Sequence, residues 1–218
     1  GVRMVGSDCR RIKKSKEVIL ISKPNEKELM KIINIFKHTG LVLKHKWLVF
    51  KLCCKIGMPW RGLWHDWSKF SPTEFFESIK YYNGQHSPIT LCKADKGYSN
   101  SWLHHKGRNK HHPEYWIDYS LPQKAVIMPY KYAAEMICDK FAAGMVYRGK
   151  EWIQDWQISY YMRERETSLI HPQMDKFMLA IFTEVSRNGL DKTLTKENIK
   201  KTYQKYCMRM ENLDENQI

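Results

Sequence analysis

The sequence lacks any continuous apolar segment of about 18 residues or more, the length needed to cross a membrane as a helix. Its most apolar stretch, residues 41–58, is interrupted by His45 and by four lysines. We therefore expect no membrane-spanning segment and no membrane among the partners of this protein.

Cysteine pairs of the C-x-x-C type are also lacking, although the chain has six cysteines. This absence argues against a zinc site built from cysteine. Cys53 and Cys54 are adjacent within an apolar pattern, and we interpret them as free, buried thiols. Free thiols are typical of a reducing compartment, so we expect a cytoplasmic protein.

Acidic residues are few, with 23 Asp and Glu against 37 Lys and Arg, which gives a net charge of +14. Such an excess favours a polyanionic partner, such as a nucleotide, a nucleic acid or another phosphate compound. The basic residues are dispersed along the chain, however, which weakens the case for a dedicated nucleic-acid groove. A solvated lysine surface explains the charge equally well.

What is present is mainly helical periodicity. With 43% hydrophobic residues the chain is globular, and the pattern predicts an all-α, compact helical bundle. Residues 1–22 are expected to be a basic N-terminal arm with a short strand over 17–22, and residues 23–218 a single domain. Helices are predicted over residues 25–38, 41–56, 71–84, 99–105, 129–147, 152–166, 172–187 and 195–210. Residues 84–100 are predicted to be a loop with room for one short helix.

Two of these helix boundaries rest on specific signals. Thr39-Gly40 is expected to separate the first two helices, because glycine is a poor helix former. The segment Ser71-Pro72-Thr73-Glu74 predicts a helix start in which Ser71 caps the helix and Glu74 completes a capping box.

The histidines are distributed unevenly, since four of the nine lie in the segment WLHHKGRNKHHPEYW, residues 102–116. Packing or surface exposure easily explains one histidine, but it explains four in one short segment poorly. Imidazole is a common ligand of transition metals. The pairs His104-His105 and His111-His112 therefore predict a metal site.

A second feature is His65-Asp66 in the segment LWHDWSKF, residues 63–70. The two residues offer one nitrogen and one oxygen ligand, and the carboxylate can bridge two ions. An HD dipeptide often occurs by chance, so its weight comes from the nearby histidines.

Two further polar residues fall on apolar helix faces. His45 shares a face with Val42, Val49, Leu52 and Ile56, and Asp139 shares one with Tyr132, Met136, Ala143 and Val146. A buried polar side chain needs a partner, and a metal ion would provide one. A core hydrogen bond for His45 and a buried salt bridge for Asp139 are the open alternatives.

The order of these residues resembles that of the HD-domain superfamily of metal-dependent phosphohydrolases. HDWSK resembles the HD-x-x-K form of the HD-GYP and related branches, although no GYP string follows the histidines, so cyclic-di-GMP is not implied as substrate. More narrowly, HDWSKFSPTEF and NKHHPEYW resemble an uncharacterised HD-like family of bacteria and their phages, over roughly residues 43–161.

This resemblance implies a metal core at about residues 41–148, followed by C-terminal helices over 151–211. It implies two divalent ions, manganese or iron, with magnesium or zinc as alternatives. The implied ligands are His45 (with His38 as a fallback), His65, Asp66, His104 or His105, His111, His112 and Asp139.

The resemblance also implies hydrolysis of a nucleotide or related phosphoester by a metal-activated water, with Asp66 and Lys69 as catalytic residues. Lys106, Arg108, Asn109 and Lys110 are expected to attract the phosphate, although solvent exposure explains the two lysines equally well. Two alternatives remain open. One is an HD-fold di-iron oxygenase, and the other is a non-catalytic module that binds nucleic acid and holds a structural metal.

Overall fold

The computed structural model describes residues 25–208, with the side chains of 26–28 and 31 excepted. Within that range the chain forms ten α-helices and no strand, so the all-α prediction is confirmed. The predicted basic arm and short strand over residues 1–22 lie outside the described residues, as does the end of the last predicted helix.

Most of the helices follow one another with short connections, whereas residues 109–129 separate α5 from α6. They are α1 Glu26–Lys55, α2 Pro59–Trp64, α3 Pro72–Lys80, α4 Pro88–Lys96, α5 Asn100–Arg108, α6 Tyr130–Arg148, α7 Gln154–Glu164, α8 Pro172–Asn188, α9 Leu190–Thr193 and α10 Lys196–Cys207. Three 3-10 turns lie between them, at Trp67–Phe70, Pro113–Trp116 and Gly149–Glu151. The short helix allowed for in residues 84–100 is α4.

The predicted break at Thr39-Gly40 is wrong, because α1 runs unbroken through both residues. A glycine inside a helix costs only about 1 kcal/mol relative to alanine. Continuity places His38 and His45 two turns apart on one buried face of the helix. The packing of that face against the rest of the molecule outweighs the propensity of Gly40.

Helix α6 lies at the centre of the core. Ala133, Ala134, Ile137, Cys138 and Phe141 are fully buried, and the helix contacts α1, α7 and α10. Because α6 is enclosed on nearly all sides, any acidic side chain on it is held away from water. Such a side chain must be paired or bound within the protein.

A close contact at Gly62 fixes α2 against α1. A Cβ atom on Gly62 would lie 2.7 Å from Cα of Phe50 and 2.8 Å from Cβ of Cys53. Glycine therefore allows a separation that any larger residue would prevent. The consequence is that His65, which directly follows α2, is brought beside His45 on α1.

The structure also bears on the predictions about the cysteines and about membrane-spanning helices. All five cysteines within residues 25–208 are free, but Cys54 is exposed while Cys53 is buried, because adjacent helical positions point to different sides. The prediction of two buried thiols is therefore wrong for Cys54. Within residues 25–208, no helix combines the length and the apolar character that crossing a membrane requires.

Candidate metal centre

Five segments bring a cluster of histidines and carboxylates to one point inside the bundle. His45 comes from α1, His65-Asp66 from the end of α2, His105 from α5, His111-His112 from the turn after α5, and Asp139 from α6. Most of these side chains are buried, and the Asp139 side chain is 15% exposed. Residues that are far apart in the sequence thus form one site.

Asp66 has an unusual backbone conformation. Its φ of 52° makes it the one non-glycine residue with positive φ in the described part of the chain. Asp and Asn tolerate this left-handed region better than most residues do, and such conformations often occur at functional sites. The bend separates the end of α2 from the 3-10 turn that carries Lys69.

One oxygen of Asp66, Oδ2, faces the first group of candidate ligands, which also contains His45, His65 and Asp139. Nε2 of His65 lies 3.2 Å from Asp66 Oδ2 and 3.4 Å from Asp139 Oδ1, and Nε2 of His45 lies 3.0 Å from Asp139 Oδ1. One candidate ligand atom from each residue lies within 4.8 Å of the others, which is the spacing a single ion needs.

The other oxygen, Asp66 Oδ1, faces a second group, formed with His105, His111 and His112. Nε2 of His105 and Nε2 of His111 each lie 3.3 Å from it. Asp66 Oδ1, His111 Nε2 and His112 Nε2 are buried and make no hydrogen bond. Unpaired buried polar atoms are costly, and an ion at this point would satisfy all three.

Two glutamates hold the opposite nitrogens of these histidines. Glu135 Oε1 accepts from Nδ1 of His65 at 3.0 Å and lies 3.3 Å from Nδ1 of His111. Glu74 Oε2 accepts from Nδ1 of His105 at 2.7 Å. A carboxylate on Nδ1 leaves Nε2 free for a metal and fixes the direction of the ring.

Sequence reasoning missed both glutamates as parts of the site. Glu74 was assigned to a capping box, and the Ser71 side chain does accept from the Glu74 backbone N–H at 3.4 Å. The Glu74 carboxylate, however, is used by histidines instead of the helix end. Glu135 lies one turn before Asp139 on α6, and that spacing was the available signal.

Glu135 could also hold an ion together with His65 and His111. Nε of Arg61 donates to its other oxygen, Oε2, at 2.7 Å. This cation already balances the glutamate charge. The arrangement favours a carboxylate that orients histidines over one that binds a metal.

Several groups of the cluster favour their charged forms despite burial, whereas burial lowers the pKa of His45 and of His112. Burial opposes ionisation of Asp66 and Asp139, but contacts with the histidines outweigh it and hold the pKa of each carboxyl well below its usual range. Burial also opposes the charge on His65, yet Asp66, Asp139 and Glu135 raise its pKa well above the ordinary value. Positive charge is therefore well accommodated at His65.

Lys69 lies beside the cluster and completes its charge pattern. Its Nζ is 2.6 Å from Asp66 Oδ2, and its side chain is 29% exposed. Burial lowers its pKa, but Asp66 and Asp139 outweigh burial and raise it above the ordinary value. Lys69 is thus a fixed positive charge at the edge of the site.

The cluster borders two cavities. The smaller, of about 180 Å³, is lined by Lys69, His38, His45 and Asp66 among others. The larger, of about 660 Å³, extends from Asp139 and His112 towards α7. Asp139 and His112 line both cavities, so the cluster lies where they meet.

Several predicted site residues lie elsewhere. His104 is outside both groups of candidate ligands, since its Nδ1 contacts Glu74 Oε1 at 2.6 Å. His38, the fallback ligand, is also outside them and packs against Phe75 and Tyr82. The structure thus brings His105 and His45 to the site in their place.

The predicted phosphate-binding residues do not line either cavity. Arg108, Asn109 and Lys110 border a separate surface depression on the Arg61 side. Asn109 donates to Ser68 Oγ at 2.8 Å and to the His105 carbonyl at 2.9 Å, so it supports the end of α5, the helix that carries His105. Lys106 lies outside both cavities as well. Lys69 is the predicted basic residue that the structure places at the cluster.

Comparisons with known proteins identify a family. The model of a family of unknown function (DUF5662) matches residues 34–184, well over half of the chain, and this range includes every residue of the cluster. No curated protein and no solved structure matches the chain.

Proposed function

We propose that the chain, which belongs to this family of unknown function, is a phosphohydrolase that uses two divalent metal ions and cleaves a nucleotide or related phosphoester. One observation carries the proposal. The two oxygens of the buried Asp66 face two different sets of histidines, beside Lys69 and at the junction of two cavities.

The residues divide into two ligand sets that share Asp66. His45, His65 and Asp139 would hold one ion, and His105, His111 and His112 would hold the other. Mixed imidazole and carboxylate donors suit manganese, iron and zinc, whereas magnesium prefers oxygen ligands and retained water. This donor set therefore favours manganese, iron or zinc over magnesium, and we propose manganese or iron as the working ions.

Paired ions in such a site supply a nucleophilic water at neutral pH and offset the charge of phosphoryl oxygens. Water adds to phosphorus, the ester P–O bond breaks, and the proton of the water leaves with the alcohol. Lys69 presents its ammonium group to the same space and stabilises a phosphoryl oxygen there. Glu74 and Glu135 keep the histidine rings in place during the reaction.

The resemblance to the HD-domain superfamily supports the same conclusion. The order His45, His65-Asp66, His105, His111-His112, Asp139 follows the implied ligand order, with His105 in the position that the sequence left open between two histidines. Lys69 occupies the lysine position of the HD-x-x-K form.

A substrate panel tests the proposal. Purified protein is stripped of metal, reloaded with manganese, iron(II), zinc or magnesium, and assayed against p-nitrophenyl phosphate, bis-p-nitrophenyl phosphate and nucleoside monophosphates. We expect turnover with manganese or iron and a loss of at least about 100-fold in His65→Ala. Lys192→Ala, at an exposed position that lines neither cavity, is the control and should retain activity.

Three other results would overturn the proposal. One is the absence of hydrolysis under every metal condition. Another is oxygen consumption by the reduced, iron-loaded protein without phosphate release, which would favour the di-iron oxygenase. The third is strongly salt-dependent binding of nucleic acid without hydrolysis, which would favour a binding module with a structural metal.

A further inference from the structure

We infer that the larger cavity binds a nucleoside and that Gln157 hydrogen-bonds to its base, which makes the substrate a nucleoside monophosphate. This inference rests on the proposed function, because the phosphate end of the substrate is placed at the metal cluster. The base of the nucleoside would lie against a different part of the molecule, the wall of the cavity farther along α6.

Helix α6 sets the distance between the two ends. Asp139, Ala143 and Tyr147 follow one another at four-residue spacing, and all three line the cavity. Gly144, five residues beyond Asp139, lies about 7.5 Å farther along the helix axis. That distance leaves room for one ribose between a phosphate at the cluster and a base beside Gly144.

Gln157 on α7 packs against α6 at Gly144. A Cβ atom on Gly144 would lie 2.9 Å from Gln157 Oε1 and 2.9 Å from Cζ3 of Trp156. A larger residue at position 144 would thus push the carboxamide out of its place. The glycine allows α7 to approach closely and leaves Gln157 in the cavity wall.

The buried carboxamide oxygen of Gln157 has no hydrogen-bond partner in the described part of the chain. The residue is 1% exposed, and its Oε1 is buried without a hydrogen bond. Among the described residues, the buried side-chain atoms that lack a hydrogen bond and belong to this cavity wall are Gln157 Oε1 and His112 Nε2. The second belongs to the metal cluster, so Gln157 remains as the unexplained polar group.

The rest of the wall fits a flat aromatic ligand. Tyr147 is 47% exposed and lines both cavities, and Trp156 and Tyr160 stack on each other at 4.9 Å in the wall. Lys140 and Glu164, which also line it, neutralise each other at 2.7 Å. Aromatic rings and a carboxamide are groups that recognise a base.

The buried part of the cavity wall offers one unpaired carboxamide beyond the cluster. A carboxamide provides an acceptor and two donors, which complements the adjacent amino and ring nitrogen groups on the edge of a base. The volume of about 660 Å³ is also within the range of small-molecule sites.

Nucleoside binding tests the inference without any need for turnover. Adenosine, guanosine, cytidine and uridine are titrated into the full-length protein by calorimetry, with ribose as the ligand that lacks a base. We expect at least one nucleoside to bind 10-fold or more tightly than ribose, which corresponds to about 1.4 kcal/mol. If no nucleoside binds more tightly than ribose, the inference is overturned.

Variants on α7 test the role of Gln157. Gln157→Leu should weaken nucleoside binding by about 5- to 10-fold, the effect of one lost hydrogen bond. Gln154→Leu changes the same residue type on the same helix, at an exposed position outside the cavity wall, and should bind as wild type does. Unchanged binding in Gln157→Leu would overturn the role of Gln157, and the wild-type titration remains decisive if that variant fails to fold.

The two proposals can fail separately. Nucleoside binding without hydrolysis of any phosphoester would support the nucleoside cavity and overturn the phosphohydrolase. Hydrolysis of p-nitrophenyl phosphate without preference for nucleosides over ribose would do the reverse.

Discussion

His104 and His105 are adjacent in the chain and both contact Glu74, but they have different positions relative to the cluster. Nδ1 of His104 lies 2.6 Å from one glutamate oxygen and Nδ1 of His105 lies 2.7 Å from the other. Nε2 of His105 then reaches Asp66 Oδ1 at 3.3 Å, whereas His104 is outside both ligand groups. Adjacent positions on α5 thus hold a candidate metal ligand, His105, and a histidine outside the ligand groups, His104.

These two histidines provide a matched pair of variants. His105→Ala should remove a ligand of one ion and lower bound manganese to one ion per chain or fewer, measured by elemental analysis after dialysis. His104→Ala should retain the wild-type metal content, because the His104 ring contacts the Glu74 carboxylate and belongs to neither group of candidate ligands. Equal metal content in the two variants would contradict the assignment.

Asp66→Asn should reduce the metal content more than the loss of any single histidine does. Asn retains the size of the side chain and tolerates the left-handed backbone, so the change removes charge with little strain. A bridging carboxylate serves both ions, and both should be affected. Asp191→Asn, at a side chain 84% exposed, is the control. Two bound ions in Asp66→Asn would rule out the bridging role.

Glu135→Gln should weaken manganese binding by about 10- to 100-fold without changing the fold. Its carboxylate orients His65 and His111, and loss of such an outer partner typically has an effect of this size. Circular dichroism checks the fold, and a competitive chelator titration measures affinity. Glu151→Gln, at a surface ion pair, should have no effect on either measurement. Wild-type affinity in Glu135→Gln would show that the histidines are oriented without it.

Lys69→Met should lower the rate of phosphoester hydrolysis by about 10- to 100-fold while both ions remain bound. The ammonium group lies at the cluster and lines the smaller cavity, so its loss removes charge stabilisation from the reaction. Lys106→Met removes the same charge at a position that lines neither cavity and should retain the wild-type rate. The opposite order of effects would place the phosphate beside Lys106 on α5.

His38 should make folding stability depend on pH. Burial, with a smaller effect of Lys69, lowers its pKa from 6.5 to about 4 in the folded protein. The unfolded chain therefore takes up the proton first as the pH falls, and the folded state loses stability between pH 6.5 and pH 4. From pH 7 to pH 5 this loss amounts to about 2 kcal/mol.

Urea denaturation at the two pH values measures this contribution. His38→Leu should reduce the difference in unfolding free energy between pH 7 and pH 5 by about 2 kcal/mol. His86→Leu, at an exposed histidine, should leave the difference as it is in the wild type. An unchanged pH dependence in His38→Leu would show that the His38 ring is accessible to protons in the folded protein.

The all-α fold and most residues of the cluster could be predicted from the sequence, because helical periodicity shows which side of each helix is buried. His45 and Asp139 stand out as polar groups in apolar helical patterns. The pattern around His45 is buried as expected, and the pattern around Asp139 is buried at Met136 and Val146 and half-buried elsewhere. Periodicity records which side of a helix is buried, so it can reveal a polar residue on that side.

Other parts of the site could not be predicted in this way. Glu74 looks like an ordinary capping residue, so no local pattern marks it as part of the site. Glu135 lies among apolar neighbours on a helix that is buried almost all round, and its one signal is the four-residue spacing from Asp139. Arg108 and Lys110 attract attention by their nearness to the histidines in sequence. Which wall of a cavity they line depends on how α5 and α6 pack, and this is a property of the tertiary structure.

The shared carboxylates have a consequence for how the site would fill. Asp66 divides its oxygens between the two ligand groups, and Glu135 holds one histidine from each of them. An ion bound by either ligand group would therefore fix the positions of side chains that the second ion needs. The second ion would pay less ordering entropy than the first, so loading would be cooperative and half-filled molecules would be rare.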